Sequence, residues 1–345
     1  MADGLRYGLI GCGGIARGHM AAYSHLFEMV ACCDIYEPAA LEFQRRFGFG
    51  RTYTDVRAML ENERLDFVTV CTSTTHDRLD IVLACAAAGV HPLVEKPMAL
   101  TREQARQMVA ACDEAGVKLA VSQQYRNFPH VKAAYDLLRS GTLGKPFLGE
   151  LRMAHFAWFP LKGAKRSDYF VKFDKVMLLN GTVHHFDMLR FLLAAEPERL
   201  YTRAGQAPFR TAIGERGDTW GISTVDFPGC TFQVFNSTDC HGGEMQWDGW
   251  THIECERGSI YLNPDADTPL KAYSADLKSW IFPDLPSRDE FRTVAWQTTV
   301  RQFTDWIAGG PEHPTSGRDN LGTLAMVFAA YDSAEQGAPL EVGSI

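Results

Sequence analysis

No pair of cysteines stands at C-x-x-C spacing, and the nine that occur are scattered singly apart from Cys32-Cys33. An odd, dispersed set fits neither a disulfide framework nor a zinc ribbon. Most lie in apolar runs, where free cysteines serve as small buried residues. Basic tracts are lacking too. Lysine and arginine total 34 against 42 aspartates and glutamates, a formal net charge of −8, which argues against nucleic acid and anionic membrane as partners. No apolar run is long enough to cross a bilayer, and no basic-plus-apolar leader precedes the first strand-like run. A reducing cytoplasm is therefore the expected compartment. Internal repeats and low-complexity linkers are absent. What remains is 345 residues, 46% of them hydrophobic, enough for about two well-filled domains at ~150 residues each.

The most informative stretch lies near the start. Residues 5–10 are apolar and end in glycines, and helix-forming residues follow Gly14. The turn reads Gly11-x-Gly13-x-x-Ala16, the spacing of a dinucleotide-binding turn. Gly11 allows the sharp bend, Gly13 lets a pyrophosphate approach the backbone, and Ala16 lets the helix lie close to the strand. Free N–H groups at the helix N-terminus would meet the phosphates. A second apolar run, 29–33, ends in Asp34, eighteen residues past Ala16. An acid there can accept from a ribose 2′-hydroxyl and repel a 2′-phosphate. No basic residue stands at 35–41, so NAD is favoured over NADP.

Strand and helix patterns alternate over roughly the first 120 residues. Helices are expected at 38–47, up to Leu60 from an Asp55 cap, at 79–88, and from a Thr101-x-x-Gln104 capping box to Ala115. Strands are expected at 66–71, 90–94 and 117–121. Such alternation gives a parallel sheet with helices on both faces, and ligands bind outside the carboxyl ends of its strands. Thr72, Ser73, Thr74, Thr75 and His76 follow one such end; the hydroxyls face a cofactor, cap the next helix, or do both. Past Ser122 the rhythm changes. A helix at 129–139 precedes strand-like runs at 147–159, 199–206, 220–227, 230–237, 250–256 and 259–262, with helices at 187–193, 298–307 and 321–334. This half reads as a mainly antiparallel sheet.

Two constellations carry chemistry. Lys96 stands where a strand leaves the sheet, between Glu95 and Pro97, and the proline biases it away from helix. Partial burial would lower its pKa toward the range of an acid–base catalyst, with Glu95 orienting it. The second is Asn180-Gly181-Thr182-Val183-His184-His185-Phe186-Asp187. From His184 it reads as a helix whose apolar face is Phe186, Leu189 and Leu193; Asn180 stands at its mouth, and His184 shares a face with Asp187. By pattern alone His184 is either an acid–base group or a satisfied structural histidine. The stretch 158–175 sets Trp158, Phe159, Tyr169 and Phe170 beside Lys162, Lys165, Arg166, Lys172 and Lys175, against Asp168 and Asp174. It reads as a solvated loop or as a substrate border that attracts an anionic sugar.

Together these motifs make the chain resemble the Gfo/Idh/MocA family of nicotinamide-dependent sugar and cyclitol dehydrogenases. The residues that carry the resemblance are Gly11-Cys12-Gly13-Gly14-Ile15-Ala16, Asp34, Glu95-Lys96-Pro97-Met98-Ala99-Leu100, Tyr125-Arg126-Asn127-Phe128-Pro129, Gly141-Thr142-Leu143-Gly144-Lys145-Pro146, His184-His185-Phe186-Asp187-Met188-Leu189-Arg190 and Ser333-Ala334-Glu335-Gln336-Gly337. They span nearly the full length. The resemblance implies an α/β fold: an N-terminal Rossmann domain at 1–123 that binds NAD, and a C-terminal α/β domain at 124–345, built on an open, mainly antiparallel sheet, for substrate binding and oligomerisation.

The same resemblance implies cofactor contacts from Gly11, Cys12, Gly13, Gly14, Ile15, Ala16, Asp34, Thr72, Ser73, Thr74, His76, Glu95, Lys96 and Gln124, and no metal. It implies substrate contacts from Lys96, Tyr125, Trp158, Phe159, Tyr169, Asn180 and His184. Lys96 would touch both the nicotinamide ribose and the reacting hydroxyl, next to a cis Lys96-Pro97 bond; His184 would carry or relay the substrate proton; Asp187 would be structural. Asn180 occupies the place of the family's first acid. It can hydrogen-bond a hydroxyl but cannot take its proton, so that load falls on His184 and Lys96. Cys71-Thr72 likewise replaces a Thr-Pro or Ser-Pro of many relatives. The reaction implied is hydride transfer between a carbinol carbon of a sugar, sugar acid or cyclitol and the nicotinamide C4. A homodimer or homotetramer is implied, paired through the outer face of the second sheet, with Phe227, Phe232, Val234 and Phe235 as candidate contacts. A non-catalytic NAD-sensing regulator could dispense with Lys96, and NAD-assisted glycoside hydrolases depart from Glu-Lys-Pro; this chain keeps both features.

Overall fold

The computed structural model describes residues 4–72, 77–156, 175–211 and 216–345. The chain divides into two compact units, 1–127 with 289–321, and 128–288 with 322–345.

The first unit is built on β1 (Arg6–Ile10), β2 (Glu28–Cys33), β3 (Arg51–Tyr53), β4 (Phe67–Val70), β5 (His91–Glu95) and β6 (Ala120–Ser122). They pair in parallel in the order β3-β2-β1-β4-β5-β6. Helices α1 (Gly14–Tyr23), α2 (Glu37–Phe47), α3 (Val56–Asn62), α4 (Arg78–Ala87) and α5 (Arg102–Glu114) connect them. All four residues of β4 are buried, as expected of a strand covered on both faces. The Asp55 cap forms, its Oδ1 accepting the Ala58 N–H at 2.8 Å. Thr101 caps α5 through the Gln104 N–H, but Gln104 Oε1 takes the N–H of Leu100 rather than that of Thr101. The reciprocal half of the box is thus displaced by one residue. The strand expected at 117–121 lies at 120–122, and β3 was not expected, being too short to show a period.

The first compact unit takes in more than residues 1–123: it runs to Asn127, and the helix Phe291–Ile307 belongs to it. Trp296, Val300 and Phe303 join Tyr7 and Phe67 in its core, with the Phe67 and Phe303 rings 6.0 Å apart. Gly18 of α1 makes room for this helix: a Cβ there would stand 2.3 Å from the Trp296 indole.

The second unit carries β7 (Pro146–Phe156), β8 (Arg199–Gly205), β9 (Trp220–Phe227), β10 (Cys230–Ser237), β11 (Asp239–Glu244), β12 (Trp250–Cys255), β13 (Gly258–Leu262), β14 (Leu270–Ser274), β15 (Ser279–Ile281) and β16 (Leu340–Glu341). Their order is β15-β14-β13-β12-β7-β10-β9-β8-β16, with β11 also on β7. β7 and β10 pair in parallel and the remaining pairings are antiparallel. The expected outer-face set needs correction. Phe227, Phe232 and Val234 are buried, and of the four only Phe235 lies on the outer side. Adjacent strand residues point to opposite faces, so Val234 and Phe235 cannot share one. Phe232 fills the space over Gly149, where a Cβ would meet its ring at 2.2 Å. Among the described residues no helix is long and apolar enough to cross a membrane.

Candidate active site

The glycine turn is held by the residue expected to read the ribose. Gly11 has φ +90°, and a Cβ on it would lie 2.7 Å from the Cys71 carbonyl carbon and the Thr72 nitrogen. Only glycine fits such a backbone at such a contact. The next N–H, of Cys12, donates to Asp34 Oδ2 at 2.7 Å, and the Tyr36 N–H donates to Oδ1 at 2.8 Å. Asp34 therefore ties the end of β2 to the turn after β1. A Cβ on Gly13 or Gly14 would meet nothing within 4 Å, and no side chain caps α1. Ala16 is fully buried, while Ile15 is 41% exposed. An open space before an uncapped helix N-terminus suits a pyrophosphate.

Lys96 follows β5 directly. It is half-buried, and its bond to Pro97 is cis. Glu95 is buried beneath it and accepts from His19 Nε2 at 2.7 Å. His19 Nδ1 lies 2.9 Å from the Tyr23 hydroxyl, which is 3.0 Å from Thr69 Oγ1. Burial alone would raise the Glu95 carboxyl. The His19 hydrogen bond and the Lys96 and Arg78 charges outweigh it and hold the group below the usual carboxylate range. Burial likewise pushes the Lys96 ammonium below its ordinary value, with Glu95 opposing the shift and Arg78 adding to it.

Arg78 and His19 escaped the sequence reading. Arg78 opens α4, where an exposed charged residue is the ordinary expectation, yet it is only 2% exposed. A signal for His19 did exist: it shares the buried side of α1 with Ala16, Met20 and Tyr23.

Other expected cofactor residues converge on the same edge, because parallel strands end on one side. Thr72 follows β4, half-buried. Gln124 follows β6; it is buried, and its Oε1 has no hydrogen-bond partner among the described residues, as expected of a group that meets a ligand. Tyr125, in the same turn, is also buried. Arg126 beside it is structural, binding the Pro314 carbonyl and Asp319 at 2.8 Å each. Ser73, Thr74 and His76, and also Trp158, Phe159 and Tyr169, lie outside the described residues.

In the second unit Asn180 lies in a π-helical turn, Met177–Thr182, that leads into the helix Val183–Leu193. Periodicity cannot show that turn, because its cause is remote. The buried Asp218 carboxylate accepts the N–H groups of Val176 and Leu178 and the Tyr331 hydroxyl. Burial raises its pKa, and the Val176 and Leu178 bonds offset part of the rise. Asn180 is half-buried and His184 buried. His185 Nε2 donates to the Trp247 carbonyl at 2.9 Å, and burial lowers that imidazole to about 4. Asp187 is fully buried and accepts from the Thr323 hydroxyl at 2.9 Å.

A doubly wound sheet with a glycine turn at its reversal point and a depressed lysine at the end of β5 defines a nucleotide-dependent oxidoreductase scaffold. The oxidoreductase family with an NAD-binding Rossmann fold matches residues 5–123, and the GFO/IDH/MocA C-terminal domain matches residues 131–261. The chain belongs to the Gfo/Idh/MocA oxidoreductase family. It is 32% identical to the D-apiose dehydrogenase of Paraburkholderia graminis over 98% of this chain and 89% of that one. It is 30% identical to the myo-inositol 2-dehydrogenase of Thermotoga maritima, over 96% and 97%. The crystal structure of an oxidoreductase from Agrobacterium radiobacter in complex with NAD+, L-tartaric acid and magnesium superposes with a TM-score of 0.88 at 26% identity, covering 98% of both chains.

Proposed function

We propose that the protein is an NAD-dependent dehydrogenase of a sugar or cyclitol secondary alcohol, with Lys96 as its principal proton acceptor. The observation that carries this is Lys96 itself: a half-buried amine of lowered pKa at the carboxyl end of β5, on the sheet edge that bears the glycine turn. When bound, NAD takes up hydride at the nicotinamide C4. Gly13, Gly14 and the N-terminus of α1 would hold its pyrophosphate, Asp34 its adenine-side ribose, and Gln124 a polar group through Oε1. Asp34 also makes NAD the preferred cofactor over NADP. Lys96 would draw the proton from the hydroxyl as its carbon loses hydride. His184 is the second proton-handling group we assign, and Asn180, unable to take a proton, would orient a hydroxyl. Glu95 is assigned to orienting Lys96, and Tyr125 to a substrate contact.

We further propose a cytoplasmic homodimer or homotetramer. Its pairing face is the outer side of the second sheet, where Leu148, Ile222 and Trp280 are exposed and the His252 and Tyr261 rings stack 4.3 Å apart. A panel of sugars, sugar acids and cyclitols, followed by nicotinamide absorbance, tests the reaction. Net reduction of NAD with at least one alcohol is expected. Lys96→Met should lower kcat by about 10²–10⁴-fold while NADH binding persists. An unchanged kcat in that variant would remove Lys96 from the chemistry.

A further inference from the structure

Arg78 is a fully enclosed charge with no part in the chemistry above. It opens α4, and its guanidinium reaches across the ends of two neighbouring parallel strands. Nη2 donates to the Thr72 carbonyl, just after β4, at 3.0 Å, and Nη1 donates to the Pro97 carbonyl, two residues after β5. Those two carbonyls lie where parallel strands have run out of partners, so the sheet does not fix them. A guanidinium presents its donors in a rigid planar fork and can hold two acceptors at a set separation; an ammonium is a single point. Lys96 is the residue immediately before the pinned Pro97.

We propose that Arg78 is a positioning residue for Lys96, its fork clamping the Thr72 and Pro97 carbonyls so that the backbone carrying the amine is fixed at the sheet edge. The proposal rests on the reading of Lys96 as the proton acceptor. Two consequences separate it from a role in folding alone. The clamp acts on the geometry of the chemical step, where a displacement of about 1 Å can cost about 10²-fold in rate. The clamp is also a cation: it stands with Glu95 as a charged neighbour of Lys96 and favours the neutral amine.

The test uses the full chain with an alcohol found active in the panel, comparing R78M, R78K and K96M with the parent by kcat and KM, NADH binding, thermal melting and a pH–rate profile. In R78M, kcat is expected to fall by about 10–100-fold, with KM and NADH affinity little changed. The rising limb of its pH profile should move to higher pH, because a positive neighbour has gone. R78K keeps the charge but lacks the rigid fork that sets the separation of the two carbonyls, so its limb should stay in place while kcat is only partly restored. Where R78M does not fold, R78K and R78Q make the same comparison of charge with geometry. An R78M enzyme with parental kcat overturns the proposal. So does a loss confined to NADH affinity, which would make Arg78 a cofactor contact, and so does an unmoved limb. A K96M enzyme that keeps full activity instead sinks the reading of Lys96, and the two failures are told apart.

Discussion

His19 Nε2 donates a 2.7 Å hydrogen bond to Glu95 Oε1 inside the first unit, joining the helix after the glycine turn to the strand end that bears Lys96. Both partners are buried. A buried carboxylate stays ionised only when its oxygens are well bonded. The pair therefore fixes a negative charge one residue from the amine, and that charge opposes the effect of burial on Lys96.

Glu95→Gln follows from this balance. Glutamine can still accept from His19 but carries no charge, so Lys96 loses the neighbour that raises its pKa. The rising limb of the pH–rate profile for alcohol oxidation should move to lower pH, opposite in direction to Arg78→Met. A limb that stays in place or rises would show that another group controls the profile.

The glycines of the first turn should separate stability from binding. Gly11→Ala places a methyl 2.7 Å from backbone atoms at a left-handed φ and should destabilise by about 1–3 kcal/mol. Gly13→Ala meets no protein atom, so stability should change by no more than about 0.5 kcal/mol. NADH affinity should nonetheless fall about tenfold or more, roughly 1.4 kcal/mol, since the added methyl occupies the approach to the helix N-terminus. Thermal melting and fluorescence titration of NADH on the two variants check this.

Asp218 governs the shape of the segment before Asn180. Asp218→Asn turns an acceptor into an amide that cannot satisfy the Val176 N–H, the Leu178 N–H and the Tyr331 hydroxyl together. A loss of about 1–3 kcal/mol is expected. Tyr331→Phe removes one donor to Asp218 and the acceptor of the Leu179 N–H, but leaves the carboxylate on the Val176 and Leu178 N–H groups, and should cost less. Both should lower kcat more than NADH affinity, which binding titrations alongside steady-state rates would show.

Two buried imidazoles set an acid limit on stability. Burial lowers His185 and His313 each from 6.5 to about 4. The unfolded chain therefore takes up protons that the native protein refuses. The contribution of these two groups to stability should decline as pH falls from about 6.5 and be lost below about 4, by up to about 3 kcal/mol for each. Denaturant unfolding across that range should show the slope, and replacing either histidine by glutamine should flatten it.

What residues decide over a span of a few positions was legible in the sequence. The Gly11–Ala16 turn, the Asp55 cap, the helix Pro129–Arg139 and the strands Trp220–Phe227 and Cys230–Ser237 are each set by local sterics, capping chemistry or a short period. The strand-end lysine could be found for the same reason, since Pro97 marks where β5 must stop. Tertiary structure alone decided the features whose cause lies far along the chain. The helix Phe291–Ile307 completes the first unit because Trp296 and Phe303 fit its core, and Phe232 turns inward because Gly149 leaves it room. Asp218 shapes the turn holding Asn180 from 38 residues away, and Arg78 is drawn under cover by two carbonyls that no periodicity announces. A buried charge goes where its partners are, and partners brought together by folding leave no mark on the order of the residues.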